Sequence, residues 1–396
     1  MPLPENTGSE ELFITCQKSL EPVLYKELET RGFLPVSTGI RGISIKSEGM
    51  QTVYRANYLL RTAMRVLWPL SSFSCRDRND LYENAMKVAW ENYVPIDTTF
   101  SVQANAANNQ NIRNSLFACQ VVKDAVCDRL RNIHKKRPFV NTKSPQIIIN
   151  LFLNAHNGVL SIDTTLEPLS HRNYRRRSGP APLSETMAAA FLFIAGYKGS
   201  EFLCDPCCGS GTILLEAAMM ARNIPAGYFR KKWGFMNLPQ FKEQEWQQVR
   251  KKADSEILEI RGYYTGCEKD RRAYEDCREA LAFAGFSGYI KIINAGFENC
   301  KLPFPPDLVI SNPPHGIRME DKDSIRGLYN NLGDFLKNKT AKPGHAFIFI
   351  EDKGDSRYFG LSPSKKHVLF NSNIECRLLE YELYEGSKRQ KQFTVE

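Results

Sequence analysis

The chain has 396 residues, of which 42% are hydrophobic and 24% are charged. That is ordinary globular composition, and it excludes a disordered chain, a collagen-like chain and a coiled-coil rod. Lys and Arg total 53 against 44 Asp and Glu, and the net charge of +9 permits a polyanionic partner without requiring one.

Roughly 100–200 residues per domain predicts two or three domains. The opening MPLPENTGSE has no basic start followed by an apolar run, so no signal peptide is expected. The longest apolar run, near Ala188–Ala195, falls short of the ~20 residues that span a bilayer. The 11 cysteines are odd in number and scattered. They predict reduced thiols in a cytoplasmic protein rather than a disulfide framework.

In chain order, Leu12–Thr15 reads as a strand. Pro22–Thr30 reads as a helix with Val23, Leu24 and Leu28 on one face and Gly32 as its stop. Gly39–Ser47 comes next as a strand and Tyr54–Leu67 as a helix. This first α+β stretch of ~65 residues is too short for a large core and is expected to pack on the next segment of the chain. Asn114–Ile133 is an amphipathic helix, with Leu116, Cys119, Val122, Val126 and Leu130 at helical spacing. It leaves through a basic exit containing Lys135, Lys136 and Arg137. Gln146–Leu153 and Val159–Thr164 predict a hairpin turning at Asn157-Gly158.

Glu167–Pro182 breaks the pattern. Its core, His171 to Pro180, is polar and basic and ends in Gly-Pro, which predicts an interdomain linker. It reads either as a solvated hinge or as a phosphate-contacting strap with Tyr174 interleaved among Arg172, Arg175, Arg176 and Arg177. Beyond Pro182, Leu183, Met187, Phe191 and Ile194 form a helical face. Strands then fall at Glu201–Asp205, Gly262–Glu268, Tyr289–Ala295, Asp307–Asn312 and His345–Glu351, alternating with helical stretches such as Arg271–Phe283. That alternation predicts a mostly parallel, doubly wound sheet. A terminal hairpin is expected near His367–Phe370 and Cys376–Tyr384.

Two loops carry the chemistry. In FLCDPCCGSGT (Phe202–Thr212) a strand ends at Asp205, a Gly-x-Gly turn comes next and an apolar helix opens at Thr212. Gly209 and Gly211 let backbone N–H groups approach a ligand at the carboxyl end of the strand. No Lys stands after Gly211, which excludes a P-loop. A dinucleotide fingerprint needs a small residue where Leu214 stands and an acid ~20 residues on. The next strand-end acid here is Glu268. An acid at the turn, Asp205, suits a ligand bearing a positive charge, such as the ammonium of S-adenosylmethionine. Glu268 could then hold ribose hydroxyls. Cys204, Cys207 and Cys208 lack a second ligand pair at metal-site spacing, so no metal is expected. The second loop, DLVISNPPHG (Asp307–Gly316), ends a buried strand in Asn312, Pro313, Pro314 and His315. The prolines fix the backbone, so Asn312 and a carbonyl form a rigid pair of acceptors suited to an exocyclic amine. His315 can stack on the base.

The pair DPCCGSGT and NPPH resembles the motifs of class I S-adenosylmethionine-dependent methyltransferases that act on exocyclic amines. The N-terminal half resembles a ferredoxin-like domain followed by a THUMP domain. VKDAVCDRLR, KRPFV, SIDTTLEPLSHRNYR, APLSETMAAAFL and KKWGFMNLPQF are similar to the bacterial large-subunit (23S) ribosomal RNA guanine-N2 methyltransferases. The resemblance runs from about residue 11 to 385. It implies a ferredoxin-like domain at 1–65, a THUMP RNA-binding domain at 66–166, a basic linker at 167–182 and a Rossmann-like methyltransferase domain at 183–396, with a mostly parallel seven-stranded sheet. It places Asp205, Pro206, Cys208, Gly209, Ser210, Gly211, Thr212 and Asn312 on the cofactor, with Glu268 on its ribose and Asn294 and Ala295 beside its adenine. Asn312 to His315 would hold the target guanine. The family often has Asp where this chain has Asn294. It usually has Arg-Gly-Tyr-Arg where this chain has Arg172-Asn173-Tyr174-Arg175.

The implied activity is methyl transfer from S-adenosylmethionine to guanosine N2 in large-subunit rRNA, with no metal, no membrane and no obligate protein partner. tRNA is the alternative substrate. DNA adenine-N6 methylation shares the Asn-Pro-Pro-aromatic loop, but the THUMP-like half speaks against it. A non-catalytic assembly factor is the alternative of a different class, and the intact loops speak against that. The basic excess then concentrates in Lys135–Arg137, Arg172–Arg177, Arg230–Lys232 and Lys388–Lys391, and Lys135, Lys136, Arg137 and the Arg172–Arg177 cluster with Tyr174 are the expected RNA contacts.

Overall fold

A computed structural model describes residues 10–175, 183–314, 322–351 and 354–386. The chain divides into two compact units. The first comprises Met1–Cys16, Leu24–His171 and Ala226–Ser255, and the second Gln17–Val23, Arg172–Pro225 and Glu256–Glu396.

The elements up to His171 are β1 (Glu11–Cys16), α1 (Glu21–Thr30), β2 (Pro35–Gly39), β3 (Gly42–Lys46), α2 (Met50–Leu59), β4 (Ala63–Ser74), α3 (Arg78–Lys87), β5 (Thr99–Ala107), α4 (Ser115–His134), β6 (Phe139–Val140), β7 (Ile147–Asn154) and β8 (Asn157–Asp163). The strands make one eight-stranded sheet in the order β2-β3-β1-β4-β8-β7-β5-β6. Strand β1 alternates strictly, burying Leu12, Ile14 and Cys16. Helix α4 forms as expected and buries Val122, Val126 and Leu130, but its first turn does not join that face: Leu116 is 66% exposed and Cys119 only partly buried.

Two expectations are corrected in this unit. The run Tyr54–Leu67 is not one helix: α2 ends at an extended Leu60 (φ −73°, ψ 128°) and the chain becomes β4. The cause is Glu27, whose carboxylate accepts the backbone N–H of Arg61 (2.6 Å) and of Thr62 (2.9 Å). Those groups are thereby satisfied without a further helical turn. The β7–β8 hairpin forms, but it turns at Ala155-His156, with Asn154 opposite Asn157 and Ala155 at φ 51°. Gly158 lies within β8 opposite Phe73, and glycine is needed there because a Cβ would sit 2.6 Å from the Phe73 ring.

The chain next builds α5 (Glu185–Ile194), β9 (Phe202–Asp205) and α6 (Thr212–Ala221) of the second unit, then α7 (Glu243–Ser255), which belongs to the first. The sequence places 226–255 with the methyltransferase block, yet aromatic packing sets it in the first unit. Trp233 stacks on Phe235 (13°, centroids 5.7 Å), and Trp246 meets the edges of Tyr58 and Phe235. Arg230 is buried against Trp233 and donates to the carbonyls of Thr165, Glu167, Pro168 and His171. It therefore clamps backbone and is not the surface charge that its sequence cluster suggests.

The rest of the second unit is β10 (Tyr263–Cys267), α8 (Arg271–Ala284), β11 (Ile290–Ile293), β12 (Leu308–Ser311), α9 (Lys322–Asn338), β13 (Gly344–Ile350), β14 (Lys365–Asn371) and β15 (Ile374–Leu383). Its seven-stranded sheet has the order β11-β10-β9-β12-β13-β15-β14. The first five strands are parallel, and β15 and β14 close the edge as an antiparallel hairpin. Strand β9 is buried at every residue, as a central parallel strand requires. Of the 11 cysteines, Cys267 and Cys300 are joined as a disulfide with their Cα atoms 6.6 Å apart, and the other nine are free. This corrects the expectation of reduced thiols throughout: the loop after β11 returns Cys300 to the end of β10, inside one apolar cluster.

Candidate active site

Strand order reverses between β9 and β12. From β9 the chain proceeds to β10 and β11 on one side, and β12 and β13 lie on the other. Loops at the carboxyl ends of strands diverge at such a switch point and leave a crevice. A cavity of about 190 Å³ opens there.

Asp205 ends β9, and Ser311 ends β12. Ser311 Oγ donates to Asp205 Oδ1 at 2.6 Å, and the Cys207 N–H donates to the same oxygen at 3.1 Å. Burial pushes the Asp205 carboxyl up to about 7 in spite of these two donors. Gly209 (φ 52°) and Gly211 (φ 77°) both occupy the left-handed region that glycine tolerates. A Cβ on Gly211 would also lie 2.5 Å from Cys277 Sγ. Glu268, just past β10, accepts from Gly209 N (2.9 Å) and Asp270 N (2.8 Å), so its carboxylate shapes the turn. Burial raises the thiols of Cys204 and Cys207, which keeps them protonated and unreactive. Among the described residues no group of three or more His, Cys, Asp or Glu side chains is arranged to hold a metal.

Asn312 comes directly after β12. Its Oδ1 is buried, and among the described residues it has no hydrogen-bond partner. An orphaned buried acceptor is costly unless a ligand completes it. The residue lines the cavity together with Pro314.

Of the residues expected on the cofactor, Asp205, Pro206, Cys208, Gly209, Ser210, Thr212, Glu268 and Asn312 line this cavity. Gly211 stands behind it as the residue before α6. Asn294 and Ala295 are not part of its wall. Asn294 is exposed, and its Nδ2 donates to the Glu268 carbonyl at 2.9 Å. Gly296, Phe297 and Glu298 take that wall instead, joined by Leu183, Lys269 and Leu328, which sequence reasoning missed. The signal for Glu298 was its place just past the strand expected at Tyr289–Ala295. Pro313 is buried outside the wall, and His315 lies outside the described residues.

The expected RNA contacts separate. Lys135, Lys136 and Arg137 are exposed at the end of α4, where Lys136 pairs with Asp97 at 2.5 Å. Arg172 and Tyr174 are instead buried, at 1% and 0% exposure. Arg172 Nε lies 3.3 Å from Glu216 Oε1, and the Tyr174 hydroxyl donates to that same oxygen at 3.1 Å. Arg175 pairs with Glu185 at 2.5 Å. These three brace helices α5 and α6 within the second unit rather than lying on a solvated strap. The charges are held inside because Glu216 and Glu185 are buried partners. Arg176 and Arg177 lie outside the described residues.

The parallel sheet, the glycine turn and the acids at two neighbouring strand ends define a Rossmann-like, class I S-adenosylmethionine-dependent methyltransferase fold. The chain belongs to the RMKL-like methyltransferase family, whose methyltransferase-domain model matches residues 172–380. A THUMP domain matches residues 75–163 and the RlmL ferredoxin-like domain residues 11–67. "Ribosomal RNA large subunit methyltransferase K/L" of Syntrophotalea carbinolica is 33% identical over 94% of this chain and 53% of its own length. The chain thus spans about half the length of the K/L relatives it matches. "Putative RNA methyltransferase slr0064" of Synechocystis sp. is 30% identical, covering 94% of this chain and 96% of its own. The crystal structure of SMU.472 complexed with SAH superposes with a TM-score of 0.86 at 26% identity, over 96% of this chain and 100% of that one.

Among the described residues no helix is long and apolar enough to cross a membrane.

Proposed function

We propose that the chain transfers a methyl group from S-adenosylmethionine to the exocyclic N2 of a guanosine in large-subunit ribosomal RNA. The observation that carries the reading is the buried Asn312 Oδ1, which has no hydrogen-bond partner among the described residues and is set in the wall of the cavity at the switch point. The K/L names of the relatives and the THUMP match favour RNA as the substrate. The residues fit the cofactor. Asp205 would hold the ammonium, Glu268 would hold the ribose hydroxyls at the next strand end, and the wall from Gly296 to Glu298 would face the adenine. S-adenosylmethionine, once bound, supplies an electrophilic methyl group on a sulfonium.

The chain's own work is positioning. RNA docks on the first unit, with Lys135, Lys136 and Arg137 at phosphates. The target base is unstacked at a cost of a few kcal/mol, as in base-flipping enzymes. His315, which lies outside the described residues, is the proposed stacking partner. Asn312 Oδ1 and the Pro313 carbonyl accept hydrogen bonds from the exocyclic amine and aim its lone pair. Pro313 and Pro314 prevent the backbone from relaxing around that geometry. Rate then comes mainly from proximity and orientation. Asn312→Ala should lower methyl transfer by roughly 100-fold or more while the protein stays folded. The assay is transfer of tritiated methyl to separate rRNA and tRNA pools. Near-normal turnover by the variant refutes the mechanism, and label in tRNA alone reassigns the substrate.

A further inference from the structure

Arg175 sits in the segment that reads from sequence as an RNA strap, yet it reaches the cofactor loop. Its Nη1 donates to Ser210 Oγ at 3.2 Å and to Thr212 Oγ1 at 3.0 Å. Its Nε and Nη2 are held by Glu185 Oε1 at 3.1 and 2.5 Å. The side chain is 7% exposed, so its partners are fixed. Arg175 does not line the cavity, whereas Ser210 and Thr212 do.

The direction of these bonds matters. A hydroxyl that accepts from a guanidinium still has its own hydrogen to donate. Among the described residues neither the Ser210 nor the Thr212 hydroxyl donates to any acceptor. Both are polarised by a cation and face a cavity, so both are donors awaiting an acceptor. Thr212 also opens α6, where the peptide dipoles present their positive end. A cation is unfavourable there unless a negative partner compensates, and Glu185 covers the opposite edge of the guanidinium. The local field on the cavity side therefore favours an anion. Asp205 marks the neighbouring part of the same wall as suited to a cation. Together they match a zwitterionic amino-acid group.

We infer that Arg175 is a positioning residue that turns the Ser210 and Thr212 hydroxyls into a donor pair for the α-carboxylate of the cofactor's methionine moiety. This rests on the S-adenosylmethionine reading above.

Calorimetry with S-adenosylmethionine and with decarboxylated S-adenosylmethionine tests it, because the two ligands differ in that carboxylate. In Arg175→Gln, affinity for S-adenosylmethionine should fall about 10- to 100-fold, the loss expected for charge-assisted hydrogen bonds. Affinity for the decarboxylated ligand should change less than about twofold, and Arg175→Lys, which keeps the charge without the fork, should fall between. Arg175→Gln leaves Glu185 buried without its cation. The double variant Arg175→Gln/Glu185→Gln therefore gives the same readout if the single variant does not fold. Equal weakening of both ligands would make Arg175 a structural brace alone, and no weakening of either would remove it from the site. Both results overturn the inference while leaving the cofactor reading intact. If the native protein binds neither ligand, the cofactor reading itself fails.

Discussion

Replacing Arg172 with Met separates a buried brace from an RNA contact. Arg172 and Glu216 are 1% and 0% exposed, and the guanidinium is the cation beside that carboxylate. Removing one member of a buried pair leaves the other as an uncompensated charge, at a cost of about 3–5 kcal/mol. For a unit of this size that corresponds to a loss of roughly 6–20 °C in melting temperature, at ~2–4 °C per kcal/mol. Arg172→Met/Glu216→Leu removes both charges and should recover most of the loss. Thermal denaturation followed by circular dichroism gives the stability. RNA binding measured across a salt series gives the number of phosphate contacts. The folded fraction of Arg172→Met should keep the native salt slope. Neutralising Lys136 or Arg137 should flatten that slope by about 0.7–0.9 per contact. The brace is refuted if Arg172→Met stays within about 0.5 kcal/mol of the native stability while its salt slope falls by about one.

Asp205 predicts a pH signature. Its folded pKa of about 7 lies above the ordinary carboxylate value, so the folded state binds the proton more tightly than the unfolded one. The contribution of this group to stability is greatest at low pH and declines as pH rises from about 4 to about 7. Denaturation at several pH values should therefore show the native-minus-Asp205→Asn difference falling through that window; a flat difference contradicts the burial argument. Gly211→Ala combines a left-handed backbone with a Cβ 2.5 Å from Cys277 Sγ. It should lose cofactor binding by calorimetry, with a backbone cost of ~1–3 kcal/mol, and Cys277→Ala in the same chain should restore only the steric part. Trp233→Ala should cost the first unit about 3–5 kcal/mol in denaturant titration, because its ring lies stacked on Phe235 and beneath Arg230.

Local pattern carried most of the second unit into view. Its strands are short apolar runs ending in chemistry-bearing residues, and each of Asp205, Glu268 and Asn312 sits at a strand end. Parallel strands bring their carboxyl ends to one edge, so motif order alone assembled the site. What the sequence hid depends on partners distant along the chain. The split of Tyr54–Leu67 is decided by Glu27, more than 30 residues earlier. The turn at Ala155-His156 was masked by a Gly158 that owes its place to Phe73 on the neighbouring strand. Arg172, Arg175 and Arg230 look like surface charge because composition cannot show that Glu216, Glu185 and four carbonyls meet them inside. Asn294 reads from the sequence as an adenine contact, yet its Nδ2 donates to the Glu268 carbonyl and the cavity wall is formed by Gly296, Phe297 and Glu298.

Guanosine N2 methylation is read out by identifying the methylated nucleoside. Large-subunit rRNA without the modification is incubated with the protein and labelled S-adenosylmethionine, digested to nucleosides and resolved by liquid chromatography and mass spectrometry. Label should appear in N2-methylguanosine and be lost with Asn312→Ala. Label in another nucleoside, or none in RNA with the protein folded and the cofactor bound, would contradict the proposed reaction.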